Sequence, residues 1–194
     1  MHPPGIDDLV IRESREEDLP LLEQTSPSPG TSRFHHRRHE RQVRGEAVYL
    51  IAWLDGSPVG NLCLILSGPD NDEARERLAH GPEINAFDVV PAIRNRGIGS
   101  ALIDAAERRA RDLGHTATVL GVEVGNHAAH RLYERLGYRD WPYGETEESY
   151  TWTDDTGTER EQHETIIWME KQLAVATPPV TTLSASGPSR RRRR

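Results

Sequence analysis

The chain has 194 residues, 35% of them apolar and 28% charged, and a formal net charge of −7. That length supports one domain with a substantial core, and no apolar run reaches the roughly 18 residues of a membrane span. Without its five terminal arginines the chain carries 19 basic against 31 acidic side chains, a net of −12, which argues against nucleic acid as a partner.

The N-terminus, MHPPGIDDLVIRES, lacks the basic-then-apolar order of a signal peptide. The single Cys63 lies in an apolar run and reads as a buried thiol, which suits a reducing cytoplasm. Leu9-Val10-Ile11 is a short strand candidate. Ser14 with Glu17 three residues later makes a capping box that opens a helix through Leu22, with Pro20 early enough to be tolerated. Residues 25–32 form a loop, and residues 33–44 a polar helix. His35 and His39 stand at i and i+4 there, a spacing that can bind a metal. Two histidines without further ligands favour a solvated helix face instead, so no metal is expected.

Val48–Leu54 and Val59–Leu66 are β-rich runs joined by Asp55-Gly56-Ser57-Pro58, a hairpin with its turn chemistry in place. Residues 67–80 are a polar insertion with room for one helical turn. Glu83–Val90 is the next strand, and it leads into Pro91-Ala92-Ile93-Arg94-Asn95-Arg96-Gly97-Ile98-Gly99-Ser100. The glycines let backbone approach a ligand closely, the following helix offers unpaired N–H groups and a positive dipole end, and Arg94 and Arg96 add fixed charge. Physically this is a cradle for a pyrophosphate.

The helix from Gly99 to Leu113 is expected to bury Ala101, Leu102, Ala105 and Ala106 and to turn Asp104, Glu107, Arg108 and Arg111 outward. Gly114 stops it. Thr116–Val124 is a central strand, so strand, crossover helix and strand imply a parallel βαβ unit. Asn126 caps a second helix whose apolar face is Ala129, Leu132, Tyr133 and Leu136, and Gly137 ends it. Residues 148–153 and 163–169 make a final hairpin around Asp154–Gly157. A single domain therefore spans residues 7–173, and a Thr/Pro/Ser/Gly tail ending in arginine, residues 174–194, is expected to be disordered.

Three glycine-rich patterns compete for the cradle. A P-loop requires a lysine, and none lies near Gly97 or Gly99. A dinucleotide fingerprint requires a third glycine where Leu102 stands and a strand directly before the first. Glu123 does lie at a suitable distance for a ribose contact, so this reading is weakened without being removed. The third pattern, Arg94-x-x-Gly97-x-Gly99 after a strand ending Val89-Val90-Pro91, resembles the acetyl-CoA-binding motif of the GNAT superfamily of N-acetyltransferases. Asn126-x-x-Ala129-x-x-Leu132-Tyr133-x-x-x-Gly137-Tyr138 is similar to that family's second motif. The likeness is close over residues 83–139, and the element order from residue 9 to 173 agrees with it.

The resemblance implies an α/β fold of GNAT type, a mixed, mostly antiparallel sheet flanked by helices. It also implies direct acetyl transfer from acetyl-CoA to an amine. Arg94, Asn95, Arg96, Gly97, Ile98, Gly99 and Ser100 would hold the pyrophosphate. The backbone N–H of Val89 or Val90 would face the thioester carbonyl. Asn126 either reaches the CoA arm or only caps its helix. Tyr133 would protonate the leaving thiolate, against the alternative of plain core packing. Glu83, where some family members place a catalytic glutamate, would act as base, against the alternatives of a water chain in that role and of a plain exposed carboxylate at the strand end. Strand alternation puts Glu83 in phase with Asn85 and Phe87, although the family's bulge in this strand makes phase beyond residue 87 unsafe.

The acceptor is read from charge. Asp140, Glu145, Glu147, Glu148, Asp154, Asp155, Glu159, Glu161 and Glu164 crowd the C-terminal part; they would draw a small cationic amine if they line the cleft, and mean only solubility if they coat a hairpin. Trp141, Tyr143, Tyr150 and Trp152 would wall an amine pocket or pack the last hairpin. Acetylation of a protein N-terminus or lysine, and a non-catalytic acyl-CoA-binding module, stand as alternatives. Assembly as a homodimer stays open.

Overall fold

A computed structural model of the chain describes residues 8–78 and 81–174. The expected disordered tail lies outside the described residues, apart from Ala174. Seven strands form one sheet in the order β1-β2-β3-β4-β5-β7-β6. They are β1 (Val10–Glu13), β2 (Ala47–Leu54), β3 (Ser57–Ile65), β4 (Glu83–Val89), β5 (Ala117–Glu123), β6 (Arg139–Thr153) and β7 (Glu159–Gln172). The helices are α1 (Leu19–Thr25), α2 (Phe34–Val43), α3 (Asp72–Arg77), α4 (Ile98–Asp112) and α5 (His127–Arg135). Among the described residues no helix is long and apolar enough to cross a membrane.

The continuous apolar runs of β2 and β3 arise because both faces of the sheet are covered. Val48, Leu50, Leu62 and Leu64 point to the α4 side, where they join Leu102, Ile103 and Ala106. Tyr49, Ile51, Cys63 and Ile65 point the other way and join Leu19 and Leu22 of α1. A third cluster packs α3, through Ala74 and Leu78, against Val119, Trp141, Ile166 and Trp168. The β2–β3 hairpin turns at Asp55 (φ 51°) and Gly56 (φ 74°), the positive-φ pair that a two-residue turn between twisted strands needs.

Every strand pairing is antiparallel except β4 with β5, which are parallel and in register only at Glu83 and Val119. Beyond that pair the two strands part. The cause is visible in β4: Asn61 pairs with Asp88 and Cys63 with Asn85, so Leu62 alone faces both Ala86 and Phe87. Ala86 takes φ 52°, a conformation costly for a residue with a Cβ. This bulge bends β4 away from β5. It also flips the phase, since Ala86 packs with the α1 side while Phe87 packs with the α4 side. Phe87 is therefore not in phase with Glu83, contrary to the alternation expected from sequence.

Three local expectations are corrected. Ser14 does not cap a helix; its N–H bonds Tyr49 O at 2.8 Å and its Oγ meets His39 Nδ1 at 2.9 Å. The cap sits one residue later, where Asp18 Oδ2 accepts from the Arg15 N–H at 2.8 Å and also holds Arg12. Glu107 is not outward but 4% exposed, because both its oxygens accept from Lys171 Nζ at 2.7 Å. The final hairpin is far longer than expected, running from Arg139 to Gln172 with an irregularity between Asp140 and Glu145.

Candidate active site

The parting of β4 and β5 opens a cleft of about 530 Å3, walled by the end of β4, the loop through Arg94 and Asn95, the first turn of α4 and one face of α5. The loop is shaped by left-handed residues at Asn95 (φ 63°) and Gly97 (φ 88°). Gly97 is the position before α4, and the first-turn N–H groups of Ile98, Gly99 and Ser100 have no acceptor within their helix. A Cβ on Gly99 would stand 2.9 Å from Phe87 Cζ and push against that ring. Backbone donors, a helix dipole and a glycine surface fit a pyrophosphate.

The two arginines of the loop differ. Arg94 turns its side chain back, donating from Nε to Val89 O at 2.8 Å and from its guanidinium to Asp88 Oδ1 at 3.0 Å. It staples the loop to the strand while still lining the cleft. Arg96 and Val90 are not among the lining residues. The Val90 N–H is already spent on Val59 O at 3.0 Å, which removes it as a donor to a ligand carbonyl. Because donors alternate sides along an antiparallel strand, the Val89 N–H points the opposite way, to the side where β5 has left.

From α5 the cleft receives Asn126, Ala129, Leu132 and Tyr133. Asn126 Oδ1 accepts from the Ala129 N–H at 3.1 Å, so it caps the helix and faces the cleft at once. Tyr133 is 6% exposed, with its ring 6.2 Å from that of Phe87 and 6.0 Å from that of Tyr138. Its hydroxyl has no hydrogen-bond partner among the described residues, and burial pushes its pKa up to about 12. Tyr138 shows the contrast: its hydroxyl meets Thr118 Oγ1 at 2.9 Å in the core. A buried tyrosine ordinarily finds a partner, and Tyr133 keeps its hydroxyl free beside the cleft.

Glu83 is remote from this cleft in sequence order along β4, and it belongs to the opposite face. It is 6% exposed and accepts from Asn85 Nδ2 at 2.6 Å. Burial raises its pKa to about 7, the Asp70 and Glu148 carboxylates push the same way, and the Asn85 bond opposes them. On this face a second cavity of about 230 Å3 lies between the 26–29 loop, α2 and the β4 bulge. Phe87 and Asp88 line both cavities. The bulge is thus the partition between two pockets on opposite faces of one strand.

His35 of α2 is structural. His35 is 3% exposed; its Nε2 donates to Ser26 O at 2.6 Å, which leaves Nδ1 to accept from the Tyr49 hydroxyl at 2.5 Å. Burial lowers its pKa and holds it neutral. The expected solvated face is therefore wrong for His35, and among the described residues no metal-binding cluster exists. The acidic run mostly ties the hairpin to itself: Asp154 holds Thr156, Thr158 and Arg160, Glu147 accepts from Thr165, and Asp140 meets His130. Glu148, which accepts from Asn71 Nδ2 at 2.6 Å, is the member that acts on Glu83. Of the aromatics, Trp141 is core, Tyr143 lies under Arg77, and Tyr150 pairs with Trp152.

Sequence reasoning missed Asn61, Arg38 and Phe87 as lining residues. Asn61 carried a readable signal, a polar residue inside the otherwise apolar run of β3.

The family model described as Acetyltransferase (GNAT) family matches residues 11–138. An uncharacterized N-acetyltransferase of Methanocaldococcus jannaschii is 35% identical over 97 residues, half of this chain and 41% of that protein. An aminoalkylphosphonate N-acetyltransferase of Salmonella typhimurium is 40% identical over 57 residues, 29% of this chain and 37% of that protein. The match thus spans less than half the length of either curated relative. A GNAT family acetyltransferase from Elizabethkingia anophelis, solved with acetyl-CoA bound, superposes with a TM-score of 0.54 at 18% identity, covering 86% of this chain and 99% of that one.

Proposed function

The chain belongs to the acetyltransferase (GNAT) family, and on that premise we propose that it transfers an acetyl group from acetyl-CoA directly to the primary amine of a small acceptor. The free Tyr133 hydroxyl in the cleft is the observation that carries this reading. The first-turn N–H groups of α4 would hold the pyrophosphate, with Arg94 fixing the loop and Arg96 adding charge from outside the lining. Acetyl-CoA supplies an electrophilic thioester carbonyl and a thiolate leaving group.

The chain's residues supply the rest. The Val89 N–H is the donor placed where negative charge develops on the carbonyl oxygen. Tyr133 gives its proton to the departing sulfur. Glu83, its pKa raised to about 7, accepts a proton from the incoming ammonium through a chain of water, with Asn85 holding the carboxyl in place. The amine nitrogen gains a bond to the acetyl carbon as the carbon–sulfur bond breaks. Of the two protons the ammonium loses, one balances the thiolate and the other leaves through Glu83.

The carboxylates of Glu83, Asp70 and Glu148 favour an acceptor that arrives as a cation at its reacting end. A buried free Cys63 thiol suits a cytoplasmic setting. The test is thiol release from acetyl-CoA across small amines and peptides with a free N-terminus or lysine. Release with small amines supports the reading. Release with peptides alone assigns a protein acetyltransferase, and tight acetyl-CoA binding with no release by any of them assigns a binding module.

A further inference from the structure

The second cavity holds two side chains that the transfer chemistry leaves unused. Asn61 is 4% exposed, and its Oδ1 has no hydrogen-bond partner among the described residues. An unpaired buried amide oxygen is destabilising, so natural structures rarely keep one. Asn61 sits among apolar residues of β3 and pairs with Asp88 beside the bulge, where no packing argument asks for an amide.

Arg38 is the second. Its guanidinium lies 5.5 Å from the Phe34 ring and 6.0 Å from the Tyr49 ring, and among the described residues no carboxylate pairs with it. Arg12 holds Asp18 and Arg41 faces Glu46, while Arg37, also over the Phe34 ring, lines a different pocket. His35 in the same cavity is neutral, with both ring nitrogens engaged. The cavity therefore presents one hydrogen-bond acceptor without a donor and one cation without an anion. Phe34, Pro27 and Pro29 add an apolar wall.

We infer that the acceptor is a small zwitterion, an amine that donates to Asn61 Oδ1 joined by a short spacer to a carboxylate or phosphonate that pairs with Arg38. This rests on the acetyl-transfer reading and narrows its acceptor: the reacting end is cationic, and the far end is not. The cavity, about 230 Å3, has room for a small amino acid. The amine then lies against Asp88 and Phe87, the residues shared with the cofactor cleft.

Matched acceptor pairs test it by thiol release from acetyl-CoA: glycine against glycinamide, alanine against alaninamide, with aminomethylphosphonate, putrescine and an alanyl tripeptide alongside. The free acid of a pair, or the phosphonate, should exceed the amide in kcat/KM by about 10- to 100-fold, the worth of a charge-assisted bond. The relative rates of carboxylate and phosphonate tell which anion the site takes. Arg38→Met should bring the acid down to the level of its amide, and Arg38→Lys should keep part of the preference. Asn61→Ala should raise KM for acid and amide alike. Unchanged acetyl-CoA affinity in each variant shows that the fold persists. Equal turnover of acid and amide, or preference for putrescine or the peptide, overturns the zwitterion. Silence of every amine and peptide overturns the transfer reading itself, and the zwitterion with it.

Discussion

Replacing Glu83 by glutamine separates what this side chain costs the fold from what it gives the chemistry. Its carboxyl pKa rises from 4.5 to about 7, chiefly because it is buried. Between those values the unfolded chain has released a proton that the folded protein still holds, so wild-type stability falls as pH rises through the window. At 1.36 kcal/mol per pH unit the fall from this group totals about 3 kcal/mol. Glutamine keeps an oxygen for the Asn85 amide and never ionises. Glu83→Gln should therefore match wild type near pH 4 and be more stable by up to about 3 kcal/mol at pH 8. In urea that is a midpoint shift of about 1–3 M, given slopes of 1–3 kcal/mol/M. Acetyl transfer should fall about 10²- to 10⁴-fold at the same pH. Urea titrations at pH 4, 6 and 8, paired with initial rates, read both effects. A variant no more stable than wild type at pH 8 would refute the buried, proton-holding carboxyl, and undiminished turnover would refute the base.

Other expectations follow from particular contacts. Lys171→Met removes the nearer partner of the buried Glu107 carboxylate, leaving only Arg111 at 3.9 Å, and should cost about 1.5–3 kcal/mol in chemical denaturation, while the double change with Glu107→Leu recovers most of it; a loss near zero would mean the pair is solvated. Gly30→Ala places a Cβ 2.1 Å from Thr153 O at φ +53°, so it should break the Thr31 N–H to Thr153 O bond and cost about 1–3 kcal/mol. Amide exchange at Thr31 and the thermal midpoint report it, with acetyl-CoA affinity expected to hold. Gly99→Val drives side-chain atoms toward Phe87 and should weaken acetyl-CoA about 10- to 100-fold by titration; unchanged affinity would move the ligand elsewhere.

Where local chemistry decides, the sequence was readable. Asp55-Gly56 announced its hairpin, Asn126 its cap, and Gly97 with Gly99 the cleft wall. Most of the misreadings depend on partners distant in sequence. Glu107 falls in a charged helical stripe beside Asp104 and Arg108, and Lys171 of β7, which turns it into a buried ion pair, stands 64 positions away. Ser14 has the right spacing for a cap, but β2 claims its N–H first. His35 looked solvated until Tyr49 and the Ser26 carbonyl closed over it. Phe87 changes face because Ala86 adopts a positive φ that its residue type does not announce. Asn61 and Arg38 line one cavity, which no spacing in the chain foretold.

Acetyl transfer with Tyr133 as the proton donor is measured most directly in Tyr133→Phe, by single-turnover transfer from acetyl-CoA to a productive amine alongside acetyl-CoA affinity. The hydroxyl makes no hydrogen bond within the described residues, so its loss should leave stability and acetyl-CoA affinity nearly unchanged. The transfer rate should fall about 10²- to 10⁴-fold. An unaltered rate, or a loss of rate matched by an equal loss of affinity, would contradict the account.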